Sequence, residues 1–183
     1  MLGATLALGL ALAAAPGCDY HRLDSRPRVA PWMVKGDTVR IGSFENHTPK
    51  LGAEEVFRKA LENRIVAASP WKLVPSSASS RWVLQATLNR YEVRPLGLSL
   101  GSAANPGTAG TATRIEVVVG ASVKLLDGVT GDLVIARPQL TFANQYRVDQ
   151  NFASFDNQEL RVLDSLADDF AESFLTQLLE GSD

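Results

Sequence analysis

The sequence predicts an α+β domain in which two helices pack on one face of a mainly antiparallel, mixed sheet of about four strands, in the order β-α-β-β-β-α. Several segments alternate apolar and polar residues, as a strand with one buried face does. Two longer segments repeat apolar residues every three or four positions, which is the spacing of an amphipathic helix. Helices placed over one face of the sheet would bury both kinds of apolar surface.

The first strand is predicted over Thr38–Phe44, where the residues alternate and are rich in β-formers. A helix follows over Leu51–Ala68, and Glu54 and Glu55 in its first turn complement the helix dipole. A short β-like segment, Trp71–Val74, comes next. The helix carries one apolar stripe, made of Val56, Phe57, Ala60, Leu61 and Ile65.

Three long strands are predicted after this helix, joined as a meander over residues 81–148. In the first of them the apolar residues lie at even-numbered positions before Arg90 and at odd-numbered positions after it, which indicates a bulge. The second covers Ile115–Leu126, and the Gly- and Asp-rich turn Asp127–Asp132 leads into the third, Leu133–Val148. Pro138 is expected at a bulge or at a sheet edge, because proline cannot donate to the ladder. The buried face of the first of these strands is predicted to hold Trp82, Leu84, Ala86 and Leu88.

The last predicted element is a long helix that ends at Gly181. Asp156 is its expected N-cap, and Glu159, three residues on, would complete a capping box. Its apolar stripe consists of Leu163, Leu166, Ala167, Phe170, Phe174 and Leu178.

The N-terminus has the pattern of a lipoprotein leader. Residues 2–15 are uncharged and apolar, and Ala15-Pro16-Gly17 precedes Cys18, which is the chain's one cysteine. We therefore expect a signal peptide over 1–17, a lipidated tether over 18–36 and a single domain over 37–183. Because no Lys or Arg precedes the apolar run, a start codon further upstream is favoured.

Candidate catalytic groups are scarce. His21 and His47 are isolated in polar segments, and no metal-ligand or nucleophile motif is present. The net charge of −2 argues against a nucleic-acid binder, which usually has a basic field. The sequence therefore predicts a binding or structural protein rather than an enzyme, with no cofactor, no metal and no nucleic-acid partner.

Basic residues near one end of the meander form a candidate binding site. The expected hairpin register places Arg114 opposite about residue 145, close to Arg147 and to Arg90 and Arg94 of the preceding strand. Arginine forks match phosphate geometry. Beside them runs a segment, 95–113, that has glycines and prolines but no charge, and in it Leu96, Leu98 and Leu100 alternate. The combination suits an amphipathic phosphorylated ligand, and the alternative is a set of ordinary solvated strand-end charges.

Several segments together resemble the LptE-like family of lipopolysaccharide-assembly lipoproteins. Cys18-Asp19-Tyr20-His21 is similar to the family's start after lipidation, and Thr38–Thr48 is similar to its first strand, which ends in a Phe-Glu-Asn-x-Thr turn. Further similarities lie at Leu61-Glu62-Asn63-Arg64, at Tyr91, at Leu125-Leu126-Asp127 with Thr130-Gly131, and in the long final helix.

The resemblance implies an outer-membrane lipoprotein, anchored through lipid on Cys18 and facing the periplasm and the barrel lumen. There it would plug and help to assemble an LptD-type β-barrel translocon while lipopolysaccharide passes to the cell surface. It also implies contact with lipopolysaccharide through basic residues, for which the four arginines are candidates. The 95–113 segment is predicted to touch the barrel interior. Asp19 stands where the family usually has Gly, and in enteric bacteria Asp there favours the inner membrane.

Two other functions fit the same sequence. Activators of peptidoglycan synthases begin with a similar strand that ends in Phe-x-Asn, and such an activator would use its surface to switch on an enzyme. A free-standing lipid carrier is the third possibility. Co-purification with a large barrel or with a penicillin-binding protein would separate the first two.

Overall fold

A five-stranded mixed sheet carries both helices on one of its faces. The computed structural model describes residues 30, 34–96, 98–99, 111–112, 114–147 and 155–180. In chain order the elements are β1 (Thr38–Asn46), α1 (Ala53–Ala68), β2 (Lys72–Leu73), β3 (Trp82–Pro95), β4 (Leu98–Ser99), β5 (Thr111–Ala112), β6 (Arg114–Asp127), β7 (Leu133–Arg147) and α2 (Phe155–Glu180).

The strand order of the sheet is β2-β1-β3-β6-β7. β1 is parallel to both β2 and β3, whereas β3, β6 and β7 form an antiparallel meander. The predicted α+β class and the order of the long elements are confirmed, with five strands in the sheet rather than about four. The additional strand is β2, which lies within the β-like segment expected over 71–74.

The core lies between the helices and the sheet face that they cover. On β6 the alternate residues from Ile115 to Leu125 are buried, as the sequence predicts. Phe170 of α2 lies at the centre, fully buried, and its ring contacts four other phenylalanine rings. Aromatic rings bury large areas, so this cluster is one of the main contacts between α2 and the sheet.

The bulge expected at Arg90 is confirmed, since the β3–β6 register shifts between Leu88 and Arg90. The register of β6 against β7 shifts at two places, between Leu125 and Leu126 and between Ala121 and Val123. The second shift leaves Pro138 in a bulge on an edge strand, where its missing N–H is tolerated.

These two shifts correct the predicted pairing at the far end of the hairpin. Arg114 lies opposite Arg147, not opposite residue 145. Each bulge adds one residue to β7, so the strand slides by two residues in all. Because side chains alternate with a period of two, a slide of two residues leaves those beyond both bulges, Leu140 to Arg147, on the faces that an unbulged pairing would give them.

Three boundaries also differ from the prediction. The 95–113 segment is not a continuous loop, because β4 pairs with β5 inside it. α1 begins at Ala53 rather than at Leu51. α2 begins at Phe155, so Asp156 lies inside its first turn and is not the N-cap. Gly181, expected as the helix end, lies outside the described residues.

The stretch before β1 is held to the domain at two positions. Ala30 is only 4% exposed. The N–H of Gly36 donates to the carbonyl of Pro70, just after α1, at 3.0 Å. The predicted signal peptide and most of the predicted tether, Cys18 included, lie outside the described residues. Neither helix, over its described length, is long and apolar enough to cross a bilayer.

Candidate functional site

The sheet face opposite the helices is open, and it carries all four predicted arginines. After the β3 bulge, Tyr91 and Val93 pair with Val119 and Val117 on the helix side. Arg90 and Arg94 therefore point to the open side, because neighbouring residues of a strand face opposite ways. The same alternation places Arg114 and Arg147 there. The structure thus brings the four arginines onto one face, along the half of the meander that ends at the β4–β5 ribbon.

Two of these arginines are already paired with carboxylates. Glu92 lies between them on β3, and its Oε1 accepts from Arg90 Nε at 2.6 Å while its Oε2 accepts from Arg94 Nη2 at 2.5 Å. Arg94 Nη1 also lies 3.9 Å from Glu116 Oε2. The hydrogen bonds from Arg90 and then from Arg94 lower the pKa of Glu92 to about 2, so this carboxylate stays charged at any physiological pH. Arg90 and Arg94 thus share the charge of Glu92, and Glu116 of β6 lies near Arg94.

Arg114 and Arg147 are different. They lie directly opposite each other across β6 and β7, and both are exposed. Neither makes an ion pair with any residue in the part of the chain that the structure describes. Like charges directly opposite across two strands are unfavourable. An anion placed between the two guanidinium groups would remove that repulsion, so this pair is the better candidate for an anion site.

A third arginine, Arg161 of α2, lies beside one member of this pair, Arg147. It lines a shallow hollow at the outer edge of the sheet together with Tyr146, Arg147, Gln158 and Val162. Sequence reasoning missed Arg161 because it lies on the polar side of a helix, which usually faces solvent. Only the packing of α2 across β7 brings it beside Arg147, and no local pattern in the sequence carries that information.

The first turns of α2 are fixed to the sheet by a partly buried polar contact. The Glu159 carboxylate accepts from Lys50 Nζ at 2.8 Å and also from the Tyr91 hydroxyl. Burial raises the pKa of Glu159, but the hydrogen bonds from Lys50 and Tyr91 outweigh it, and the net pKa lies below the ordinary value. Burial and the neighbouring carboxylate both raise the pKa of Tyr91. This contact sets the position of the helix turn that carries Arg161.

The other predicted site residues are placed only in part. Leu96 is 40% exposed, and its N–H donates to the carbonyl of Arg114 at 2.9 Å, so it borders the arginine pair. The backbone of Leu98 lies in β4, but its side chain, and all of Leu100, lie outside the described residues. The lipidation candidate Cys18 and His21 also lie outside the described residues.

His47 is exposed in the turn after β1, where its Nε2 lies 3.3 Å from Glu45. Across the described ranges, no group of three or more His, Cys, Asp or Glu side chains could hold a metal ion.

Solved structures similar to this chain share its fold. An uncharacterised lipoprotein B from Nitrosomonas europaea aligns with a TM-score of 0.55 at 17% identity, covering 80% of this chain and 84% of its own. The PelC dodecamer from Paraburkholderia phytofirmans aligns with a TM-score of 0.50 at 19% identity, covering 81% of this chain and 92% of its own. Identities this low carry the fold and no more. Among curated proteins, none matches the chain.

Comparison with protein families gives a more specific result. The family described as "LptE: Lipopolysaccharide-assembly" matches residues 36–178, which run from just before β1 to the last turns of α2. The match covers most of the sequence and the whole sheet, so it confirms the resemblance of the segments from Thr38 onward, whereas Cys18-Asp19-Tyr20-His21 lies outside it. The chain belongs to the LptE family of lipopolysaccharide-assembly proteins.

Proposed function

We propose that this protein is an outer-membrane lipoprotein that plugs and helps to assemble an LptD-type β-barrel translocon and assists the delivery of lipopolysaccharide to the cell surface. The observation that carries the proposal is the family match over residues 36–178. The leader and Cys18 support attachment through an N-terminal lipid, which would face the domain towards the periplasm and the barrel lumen. The protein acts by binding and not by catalysis.

Lipopolysaccharide is recognised on the open sheet face, mainly by Arg114 and Arg147. Their guanidinium groups are exposed and have no carboxylate partner in the described structure, so binding a phosphate does not require an existing ion pair to break. Arg161 adds a third cation at the sheet edge. Arg90 and Arg94 contribute less, because Glu92 holds both of them. Exposed Leu96 next to Arg114 offers apolar surface to an acyl chain or to the barrel wall.

Purification of the tagged, full-length protein from native membranes in mild detergent tests the proposed partner. We expect a stoichiometric outer-membrane β-barrel of transporter size, identified by mass spectrometry. A tagged variant with Cys18→Ser is the matched control. This variant should be absent from the membrane fraction, and its domain should still be folded. Recovery of a peptidoglycan synthase without any barrel would contradict the proposal and favour a synthase activator.

The double variant Arg114→Gln with Arg147→Gln should weaken binding of lipopolysaccharide at least about tenfold. Charge-assisted hydrogen bonds are worth roughly 1.5–3 kcal/mol each, and about 1.4 kcal/mol corresponds to a tenfold change in affinity. The loss should be largest at low salt, because exposed charges are screened as ionic strength rises. Fluorescence titration at two salt concentrations, with circular dichroism to check folding, measures both effects.

The matched control is the variant Arg90→Gln with Arg94→Gln, which removes the same formal charge from the same sheet face. Since both of these side chains already pair with Glu92, and Arg94 also lies near Glu116, we expect a clearly smaller loss of affinity. Equal losses for the two double variants would mean that only the overall charge of the face matters. Unchanged binding in both would show that the arginines are ordinary solvated charges.

A further inference from the structure

A hollow lies on the open sheet face over Gly120 of β6, and we call it the Gly120 hollow. Its volume is about 350 Å³, and its walls are residues of β3 on one side and of β7 on the other. Small-molecule sites begin at roughly this size. Gly120 lies six residues from Arg114 along β6, which is roughly 20 Å. The Gly120 hollow is therefore a separate place on the face that carries the arginine pair.

Two bulges build the walls of the Gly120 hollow. On β3 the pairing with β6 passes from Leu88 directly to Arg90, so Asn89 is an extra residue. A bulge re-aims a side chain, and here Asn89 and its neighbour Arg90 both line the hollow. On β7 the second bulge does the same for Pro138 and Gln139. The bulges face each other across β6 and raise a wall on each side of it.

Gly120 is the floor between these walls. A Cβ at this position would lie 2.8 Å from Asn89 Oδ1 and 2.9 Å from Arg90 Cβ, which is too close for non-bonded atoms. Glycine therefore lets the Asn89 amide lie across β6. Gly120 is buried, and Val118 on the same side of β6 is only 4% exposed, although both helices lie on the other face. The depth of the hollow thus comes from the sheet itself.

The walls carry hydrogen-bonding groups whose formal charges sum to zero. Asn89 and Gln139 each have an amide that donates and accepts, and Thr141 has a hydroxyl that does both. Among the residues that the structure describes, none forms a hydrogen bond with these three side chains. Arg90 and Glu92 also line the hollow, and they form an ion pair with each other.

This chemistry selects the class of ligand. Free donors and acceptors that lie close together suit a ligand rich in hydroxyl groups, because each hydroxyl also donates and accepts. An anion would bind better between Arg114 and Arg147, which have no carboxylate partner in the described structure. An apolar ligand would cover the amides without satisfying them, which is costly.

We propose that the Gly120 hollow binds a sugar unit of a saccharide through Asn89, Gln139 and Thr141. The inference rests on the proposed function, because the saccharide is then the sugar chain of the lipopolysaccharide whose phosphates lie on the arginine pair. Both places lie on the open face, roughly 20 Å apart along β6. The arginine pair attracts the charged part of the ligand, and the hollow fixes the direction in which the sugar chain runs.

Titration with a neutral saccharide tests this proposal. The ligand used is a neutral hexose oligosaccharide cut from the sugar chain of lipopolysaccharide, free of phosphate and acyl groups. It is added to the full-length protein in mild detergent, and saturation-transfer NMR follows the binding. We expect saturable binding that changes by less than about twofold between two salt concentrations, because salt screens charges and this ligand has none. Inorganic phosphate should not displace it.

The double variant Asn89→Ala with Gln139→Ala should weaken this binding at least about fivefold, because it removes one amide from each wall. The matched control is Gln85→Ala with Gln145→Ala, which removes one amide each from β3 and β7 on the same face but outside the hollow. Its affinity should stay within about twofold of the parent's. Thr141→Val keeps the shape and the strand preference of the residue and should weaken binding about threefold. Circular dichroism checks that each variant is folded.

Four outcomes would contradict the inference. Absence of saccharide binding in a parent protein that still binds lipopolysaccharide would overturn the site and leave the proposed function intact. An equal loss in the matched control would show that the amides act only as general polar surface. Unchanged saccharide binding in the Asn89, Gln139 variant, with reduced recovery of the barrel, would make the hollow a protein contact instead. Absence of binding to both saccharide and lipopolysaccharide would overturn the proposed function and, with it, this inference.

Discussion

Replacing Phe170 with alanine is expected to lower the free energy of unfolding by about 3–5 kcal/mol, which is the range for removing a buried phenylalanine ring. The side chain is 0% exposed. Its ring centroid lies 5.4 Å from that of Phe57 in α1 and 6.0 Å from that of Phe142 in β7. Phe44 of β1 and Phe174 of α2 complete the cluster, so the cavity would open where two helices and two strands meet. Urea denaturation followed by circular dichroism measures the change.

Two further variants make this prediction specific to the ring cluster. Phe170→Leu keeps most of the volume and should cost clearly less than Phe170→Ala. Leu160→Ala, on the same helix but 50% exposed, should change the free energy of unfolding by less than about 1 kcal/mol. A loss below about 1.5 kcal/mol for Phe170→Ala would mean that α2 is held to the sheet mainly by other contacts.

The elements that the sequence predicts well are those whose signal is local. Alternation along residues 82–88 and 115–125, and the stripe from Phe57 to Ile65, each follow from the geometry of one strand or one helix. The structure confirms these buried faces. The start of α2 was predicted less well because Asp156 and Glu159 match a capping box in spacing. Tertiary contacts instead take the Glu159 carboxylate to Lys50 and Tyr91, which are far away in sequence.

The arginine site shows the same division between local and long-range information. The expected hairpin register was enough to place Arg114 and Arg147 at the same end of the sheet, but their direct pairing depends on two bulges in β7, and Pro138 indicated only one of these. The pairing of Arg90 and Arg94 with Glu92 could have been predicted, because the three residues share one face at alternate positions of β3. The position of Arg161 beside Arg147 could not have been predicted, since it depends on how α2 crosses the sheet edge.

Replacing Glu159 with glutamine should lower the free energy of unfolding at neutral pH by about 2 kcal/mol. The carboxylate side chain is 16% exposed and accepts from both Lys50 and Tyr91. An amide keeps the size but loses the charge, and it leaves a partly buried ammonium group without its counter-ion. Losing the partner of a buried charged donor costs roughly 1–3 kcal/mol. Urea denaturation at pH 7 measures the loss.

The pH dependence of this contribution has a definite sign. The folded-state pKa of Glu159 lies below its ordinary value of 4.5, so the folded protein binds the proton less readily than the unfolded chain does. The stabilisation is therefore complete above that ordinary value and is lost as the pH falls through the folded-state pKa. The parent protein should lose stability more steeply than Glu159→Gln below pH 4.5, and the two should converge.

Glu172→Gln is the matched control, because it makes the same chemical change on the same helix at a carboxylate that is 63% exposed and pairs with Arg64. Exposed ion pairs contribute between zero and about 1 kcal/mol, so this variant should stay close to the parent across the pH range. If Glu159→Gln and Glu172→Gln behaved alike, the Lys50–Glu159–Tyr91 contact would add no more than a surface ion pair. The position of Arg161 would then depend on the other contacts of α2, such as its buried apolar stripe and the hydrogen bond between Asn144 and Ser165.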